Sequence, residues 1–409
     1  MVTSTPKKAT RIMAVLIFLL LFTLAFSGNM RNTMMPQIRE DYHITLSQIG
    51  FFNATLSIGS LVSSFIGGLI GDRFKKRTII MILYPLYVAL LFVAGTMPSF
   101  WILMIAMVLL GACSGIIMLM GNVFIAEIFP DKAKGLNLLH TIWAIGQFLA
   151  PMFVTMMFNK GFHWTADYNI CAYVLVPVAI VFYIVVLVTR YEAGKGPVKE
   201  TASQKQQLSY WKLLVDRPML LLALVLFLQS NYQNSLMTWL PLYLTDHFVV
   251  DTGTMGIAVT LMWIGMTVGR IIYTTFSARI NMLGYLKMCS IAASLITLGV
   301  ILLNNLTVWM VASFALGALI SGIYPNGVAL TCEVYPRNAA AANSLVGISG
   351  NIGGMLMSSF IGMVAENLSF GLAMAIPSFM YLVAFILFKT IRFDKLRSSV
   401  EPAGAVSEG

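Results

Sequence analysis

Few residues in this chain could do chemistry, and most of them are embedded in apolar sequence. Arg270 lies inside a hydrophobic run, seven residues from its end, or about 10 Å along a helix axis. A guanidinium at that depth is costly unless it faces water, a counter-charge or a ligand oxygen. Arg270 therefore reads either as a binding cation or as the partner of an acid such as Glu333, or of a backbone carbonyl. Arg31, just before Pro36 near the end of the first run, reads either as a ligand contact or as an anchor snorkelling to an interface.

The neutral polar groups form two sets. His140, Trp143 and Gln147 recur at i, i+3 and i+7 and share one helical face. Gln229, Gln233 and Asn234 are grouped within a few turns, with Asn231, Tyr232 and Trp239 around them. Asn29, Asn32, Asn122, Trp263, Tyr324, Asn326 and Asn351 add polar or aromatic positions on other runs. Amides that donate and accept, beside aromatic platforms, suit a small hydroxylated or carboxylated solute. Any one amide reads equally well as an interhelical hydrogen bond. The two sets together read as the lining of a cavity.

No catalytic constellation accompanies them. There is no carboxylate dyad, no nucleophile–base pair in a polar region and no Gly-rich Lys-Ser/Thr loop for a nucleotide. The four cysteines (Cys113, Cys171, Cys289, Cys332) are scattered in apolar stretches without metal-ligand spacing. The chain reads as a non-enzyme with no cofactor and no metal.

The elements that must carry these residues follow from composition. The chain has 409 residues, 58% apolar and 10% charged, with a mean hydropathy of +0.84. Soluble domains carry roughly a quarter charged residues, so the lipid bilayer must be the solvent for most of this sequence. Helices satisfy their own backbone hydrogen bonds there, and each needs about 20 residues to cross. Twelve runs qualify, at about 12–36, 46–71, 78–97, 101–128, 133–158, 168–190, 219–245, 252–277, 282–303, 307–334, 338–365 and 369–391. The polar stretch 191–217 reads as a cytoplasmic linker, with a short amphipathic helix near Leu208–Leu214, and 393–409 as a disordered tail. The expected architecture is an all-α membrane protein. Twelve transmembrane helices form two pseudo-symmetric six-helix halves, 1–190 and 218–392.

Lys and Arg set the orientation. Of the 26 in the chain, 22 fall in segments on one side if the N-terminus is cytoplasmic. That bias puts both termini inside. It also accounts for the net charge of +10 without a nucleic-acid partner. A shift of 206 residues superimposes Gly50 on Gly256, Gly59 on Gly265, Arg73 on Arg279, Gly111 on Gly317, Gly121 on Gly327, Glu127 on Glu333, Pro130 on Pro336 and Asn137 on Asn343. Such coincidences at one offset indicate an internal duplication.

The charged hairpin after the second run, Gly68-Leu69-Ile70-Gly71-Asp72-Arg73-Phe74-Lys75-Lys76-Arg77, resembles the G-x-L-x-D-R-x-G-R-[KR] loop of the major facilitator superfamily. Phe74 and Lys75 depart from that pattern, and its second loop glycine is missing. With the twelve runs and the repeat, the resemblance covers about 12–392. It implies a secondary transporter in the plasma membrane that moves a small solute by alternating access. It further implies that Asp72, Arg73, Glu127, Arg279 and Glu333 latch the cytoplasmic gate; the plain alternative is that they are topology anchors at the water interface.

Ala126-Glu127-Ile128-Phe129-Pro130, Leu136-Asn137-Leu138-Leu139-His140 and Gly146 are similar to the fucose–galactose–glucose:proton symporter branch. That likeness implies a sugar-like cargo imported with a proton. No acid lies within the first run, where that branch carries one, so Glu127 and His140 are the candidate proton carriers. The alternatives are an organic-anion transporter using Arg270, a drug or metabolite exporter, and a membrane receptor or scaffold. The expected partners are the solute, a coupling proton and the lipid bilayer, with the protein acting as a monomer.

Overall fold

The computed structural model describes residues 7–129, 132–189, 210–276, 281–335 and 338–390, and among them there is no strand. The helices are α1 (Lys7–Tyr42), α2 (Leu46–Arg73), α3 (Lys76–Gly95), α4 (Phe100–Ile128), α5 (Lys132–Asn159), α6 (Trp164–Thr189) and the short α7 (Tyr210–Val215). The second series is α8 (Arg217–Phe248), α9 (Thr252–Phe276), α10 (Met282–Leu303), α11 (Leu306–Ile320), α12 (Ile323–Val334), α13 (Ala339–Asn367) and α14 (Phe370–Thr390). Among the described residues ten helical spans are long and apolar enough to cross a membrane, one of them made of α11 and α12 together. With α2 (28 residues) and α8 (32 residues) they make two sets of six. The short helix expected between the halves is α7. The tail 393–409 and most of the linker lie outside the described residues.

Three boundaries differ from expectation. The first helix continues through Pro36 to Tyr42. Pro36 lacks one backbone donor, but Met34, Met35 and Ile38 around it are completely buried, and that packing carries the helix past it. The helix stops where His43 turns left-handed at φ 49°. The sixth starts at Trp164 rather than 168, which brings Asp167 into its first turn. The run 307–334 is broken between α11 and α12 at Ser321 and Gly322. Gly322 precedes the new helix, and Pro325 falls in its first turn, where a missing N–H costs least.

Contacts divide the chain into two compact units. One is Met1–Val198 with Val249–Thr260; the other is Lys199–Phe248 with Leu261–Gly409. Within the first, α2 packs on α4, α1 on α5, and α3 on α4 and α6. Within the second, α8 packs on α13 and α14, and α10 on α11 and α14.

The 206-residue repeat is written into this packing. A Cβ on Gly59 (α2) would run into the Val108 carbonyl of α4, and one on Gly111 (α4) would lie 2.7 Å from the Leu56 oxygen of α2. Their counterparts Gly265 (α9) and Gly317 (α11) would strike the carbonyls of Phe314 and Met262. Small residues let backbones meet where lipid gives helices no hydrophobic reason to associate. Ser63 on α2 fills the space over Gly115 on α4, while in the second unit Ser321 packs on Gly269 with the two types exchanged. Buried hydroxyl pairs add a further tie. Thr23 and Ser27 of α1 bond Tyr84 and Tyr87 of α3 at 2.8 and 2.7 Å. In the second unit Tyr232 of α8 bonds Thr297 of α10 at 2.6 Å.

Candidate functional site

Gly146 brings α5 against α1: a Cβ there would lie 2.6 Å from the Phe22 carbonyl oxygen. One residue on, the Asn29 side-chain amide of α1 donates to the Gln147 carbonyl of α5 at 2.8 Å. Beside this seam the first unit forms a partly open cavity of about 180 Å³. Its polar wall is Ser27, Asn29 and Arg31 from α1, Ser60 from α2, Tyr87 from α3, Ser114 from α4, and Trp143 and Gln147 from α5, with Tyr168 from α6.

Arg31 dominates the electrostatics. It sits eleven residues before the end of α1, about 16 Å along the axis, and is only 7% exposed. Its Nη2 donates to the Asn32 side-chain oxygen at a long 3.4 Å, and its guanidinium stands 5.8 Å from the centre of the Phe52 ring. Nε and Nη1 have no hydrogen-bond partner among the described residues. Asp167 is completely buried one residue before Tyr168, and neither of its carboxylate oxygens has a partner there. These two charges are not paired with each other.

A clasp fixes the helix ends that carry them. Asp41, in the last turn of α1, accepts from the Trp164 indole and pairs with His163 Nε2 at 2.7 Å. Gln37 accepts from the Trp164 backbone N–H at 3.1 Å. The register of α1 against α6 is thereby set.

The structure brings Trp143 and Gln147 to the cavity with Asn29. Asn32 is half-buried beside Arg31, and Asn122 is half-buried with its side-chain oxygen unpartnered among the described residues. His140 is exposed on α5 and does not line the cavity. Within the second unit Gln229 is buried with neither side-chain polar atom partnered among the described residues, Gln233 is half-buried, and Asn234 is exposed. Trp263 is buried and Asn351 half-buried. Arg270 is half-buried and donates to the Ser321 carbonyl at 3.4 Å, at the break between α11 and α12. Asn326, just past the break, is buried and accepts from the Tyr273 hydroxyl. The side chain of Tyr324 lies outside the described residues.

At the charged ends, Glu127 pairs with Lys76. Arg73 and Glu333 are exposed at the ends of α2 and α12. Arg279 and the Asp72 side chain lie outside the described residues. In the second unit Tyr335 donates to Asp216; burial, and then that carboxylate, hold its phenol well above the usual range, so it remains a donor.

Sequence reasoning left Arg31 ambiguous because Pro36 looked like a helix end. It missed Asp167 because the sixth run seemed to begin one residue later. The repeat offered a signal for Arg31: its counterpart at the 206 offset is Met237, so the duplicated scaffold does not require a charge there.

The model of the Major Facilitator Superfamily matches residues 17–311 and 286–407. The chain belongs to this superfamily. It is similar to a Protein TsgA homolog of Buchnera aphidicola subsp. Baizongia pistaciae, 21% identical over 359 residues, 86% of this chain and 88% of that one. Its fold matches the inward-facing, unoccupied structure of a bacterial homolog of the human lysosomal transporter Spinster. The TM-score is 0.76 at 15% identity, over 98% of this chain and all of the other. The Escherichia coli fucose:proton symporter matches with a TM-score of 0.64 at 18% identity, over 93% and 98% of the two chains. This superfamily member is a multi-pass membrane protein and a secondary transporter of small solutes, not an enzyme.

Proposed function

We propose that the transporter carries a small polar solute by alternating access of its two repeated units, and that the first unit's cavity holds the solute's polar end. The supporting observation is the cavity itself. Most of its hydroxyls and amides are already paired, but a desolvated guanidinium costs free energy until it is paired, and Arg31 Nε and Nη1 have no partner among the described residues. Trp143 supplies a flat apolar wall, while Asn29, Gln147, Tyr87 and Tyr168 supply directional hydrogen-bonding groups. The bias of Lys and Arg supports an orientation with both termini in the cytoplasm; the plasma membrane is the proposed site of action.

Uptake by the purified protein in liposomes tests this reading. Trp143→Ala and Gln147→Leu are expected to raise the KM for the transported solute, with the protein still correctly inserted. Unaltered KM in both variants would remove the cavity from the transport path.

Proton coupling has a specific observation in its favour. Neither Glu127, engaged with Lys76, nor the exposed His140 lies at the cavity. Asp167 does not line the cavity either, but it is completely buried and without a hydrogen-bond partner among the described residues, one residue before the lining Tyr168, and on that ground it is the proposed proton carrier.

A further inference from the structure

We infer that the first unit's cavity is an anion-recognition site, in which Arg31 binds the carboxylate of a small organic acid that is the transported solute. The inference rests on the reading that this cavity receives the solute and goes on to name its chemical class.

Four observations carry it. Arg31 is more than nine-tenths buried and lines the cavity, yet two of its three nitrogens lack an acceptor among the described residues. Burying one charge without its counter-charge is strongly unfavourable. The Phe52 face, near the ~6 Å limit of a cation–π contact, offsets only a small part of that. Among the described residues no acid of the unit forms an ion pair with it. Asp41 is engaged by His163 and Trp164, Glu127 by Lys76, and Asp167, though buried, makes no ion pair with Arg31. Among the described residues Arg31 is therefore left without a counter-charge, and a solute carboxylate would supply it.

The remaining geometry narrows the class. A guanidinium is a planar fork of donors matched to a carboxylate, and Asn32 already orients it through Nη2. Trp143, Tyr87 and Tyr168 offer ring surface for the rest of the molecule. The cavity, about 180 Å³, is that of a small-solute site. A neutral sugar would fill the space and leave the guanidinium uncompensated, so the sugar-like expectation gives way to an anionic one. The second unit has no equivalent, since Met237 stands at the repeated position; the charge belongs to the solute path and not to the shared scaffold.

The test uses the full-length protein in detergent. Lactate, benzoate and succinate are the probes, with lactamide, benzamide and glucose as neutral counterparts, and ligand-induced thermal shift and tryptophan quenching are the readouts. At least one carboxylate is expected to stabilise the wild type while its amide does not. Arg31→Gln should weaken that carboxylate at least tenfold, and Arg31→Lys, which keeps the charge but loses the fork, should weaken it less. Size-exclusion profile and unliganded Tm establish that each variant is folded. Three results would overturn the inference: no carboxylate shifts the wild type, amides and acids act alike, or the folded Arg31→Lys and Arg31→Gln variants bind as the wild type does.

Failure of the underlying reading has a different signature. Gly28 lines the cavity, and a Cβ there meets nothing within 4 Å, so Gly28→Leu places its side chain in the cavity region with an unobstructed first atom. If Gly28→Leu leaves probe binding unchanged, the cavity is not the solute site, and the anion inference falls with it. If Gly28→Leu blocks glucose or an amide while Arg31→Gln does not, the cavity reading stands and only the anionic class is lost.

Discussion

Gly146→Ala is the substitution that most directly probes how this bundle holds its cavity. In an unconstrained helix the change would stabilise by about 1 kcal/mol, because glycine has more backbone entropy to lose. Here the new methyl would sit 2.6 Å from the Phe22 oxygen, 3.1 Å from the Ala25 Cβ and 3.2 Å from the Phe26 nitrogen. Two of these neighbours are backbone atoms that cannot rotate away. Restoring an ordinary 3.4 Å contact with Phe22 requires α1 and α5 to separate by about 0.8 Å. The Asn29-to-Gln147 hydrogen bond, 2.8 Å long, spans the same seam. It would stretch to roughly 3.6 Å and be lost. Overpacking costs about 1–3 kcal/mol and the lost bond about 1 kcal/mol, against about 1 kcal/mol gained in propensity. The net is a destabilisation of about 1–3 kcal/mol, together with a displaced Gln147 wall. Thermal unfolding in detergent, followed by tryptophan fluorescence, should show a lower Tm for Gly146→Ala. Solute KM should rise in the same protein. Gly299→Ala on α10 is the control, because its Cβ would meet nothing within 4 Å; its Tm should rise or hold. A Gly146→Ala protein as stable as the Gly299→Ala control, with wild-type KM, would refute the claim that backbone contact at Gly146 sets the cavity.

Other outcomes follow from single contacts. Asp167→Asn should abolish uphill, proton-driven accumulation while leaving solute exchange at equal pH; retention of accumulation would dismiss Asp167 as the coupling acid. Asp251 caps α9, accepting from the Gly253 and Thr254 amides at 2.9 and 3.2 Å and from the Thr254 hydroxyl at 2.6 Å. Chiefly through Thr254, these bonds hold its carboxyl below the usual range. Its folded pKa being depressed, the stabilisation is complete above about pH 4 and fades as pH falls through the folded value. Asp251→Ala should thus cost about 1 kcal/mol at neutral pH and progressively less in acid, as a Tm series against pH would record. Tyr232→Phe should lower stability by about 1 kcal/mol or somewhat more, because it strands the buried Thr297 hydroxyl now 2.6 Å away; an unchanged Tm would show that this pair contributes nothing.

The sequence by itself determined the solvent, the element type and the duplication. A chain 58% apolar and 10% charged has no soluble core that could absorb it, and in lipid only a helix satisfies each backbone group within its own segment. Span lengths follow from bilayer thickness, and the glycines repeating at one offset mark where helices must touch, as Gly59, Gly111, Gly265 and Gly317 do. Trp143 and Gln147 were legible as one face because 3.6 residues per turn is a local rule. Tertiary structure alone decided which faces meet. Whether Pro36 ends α1 or is carried inside it depends on packing around Met34, Met35 and Ile38. That one outcome moves Arg31 from a helix end to a buried wall. The separation of Arg31 from Asp167, the pairing of Glu127 with Lys76, and the break at Ser321 and Gly322 likewise depend on distances between segments far apart in the chain. Hydrophobic periodicity specifies how each helix turns its face, but carries no information on which neighbour that face will find.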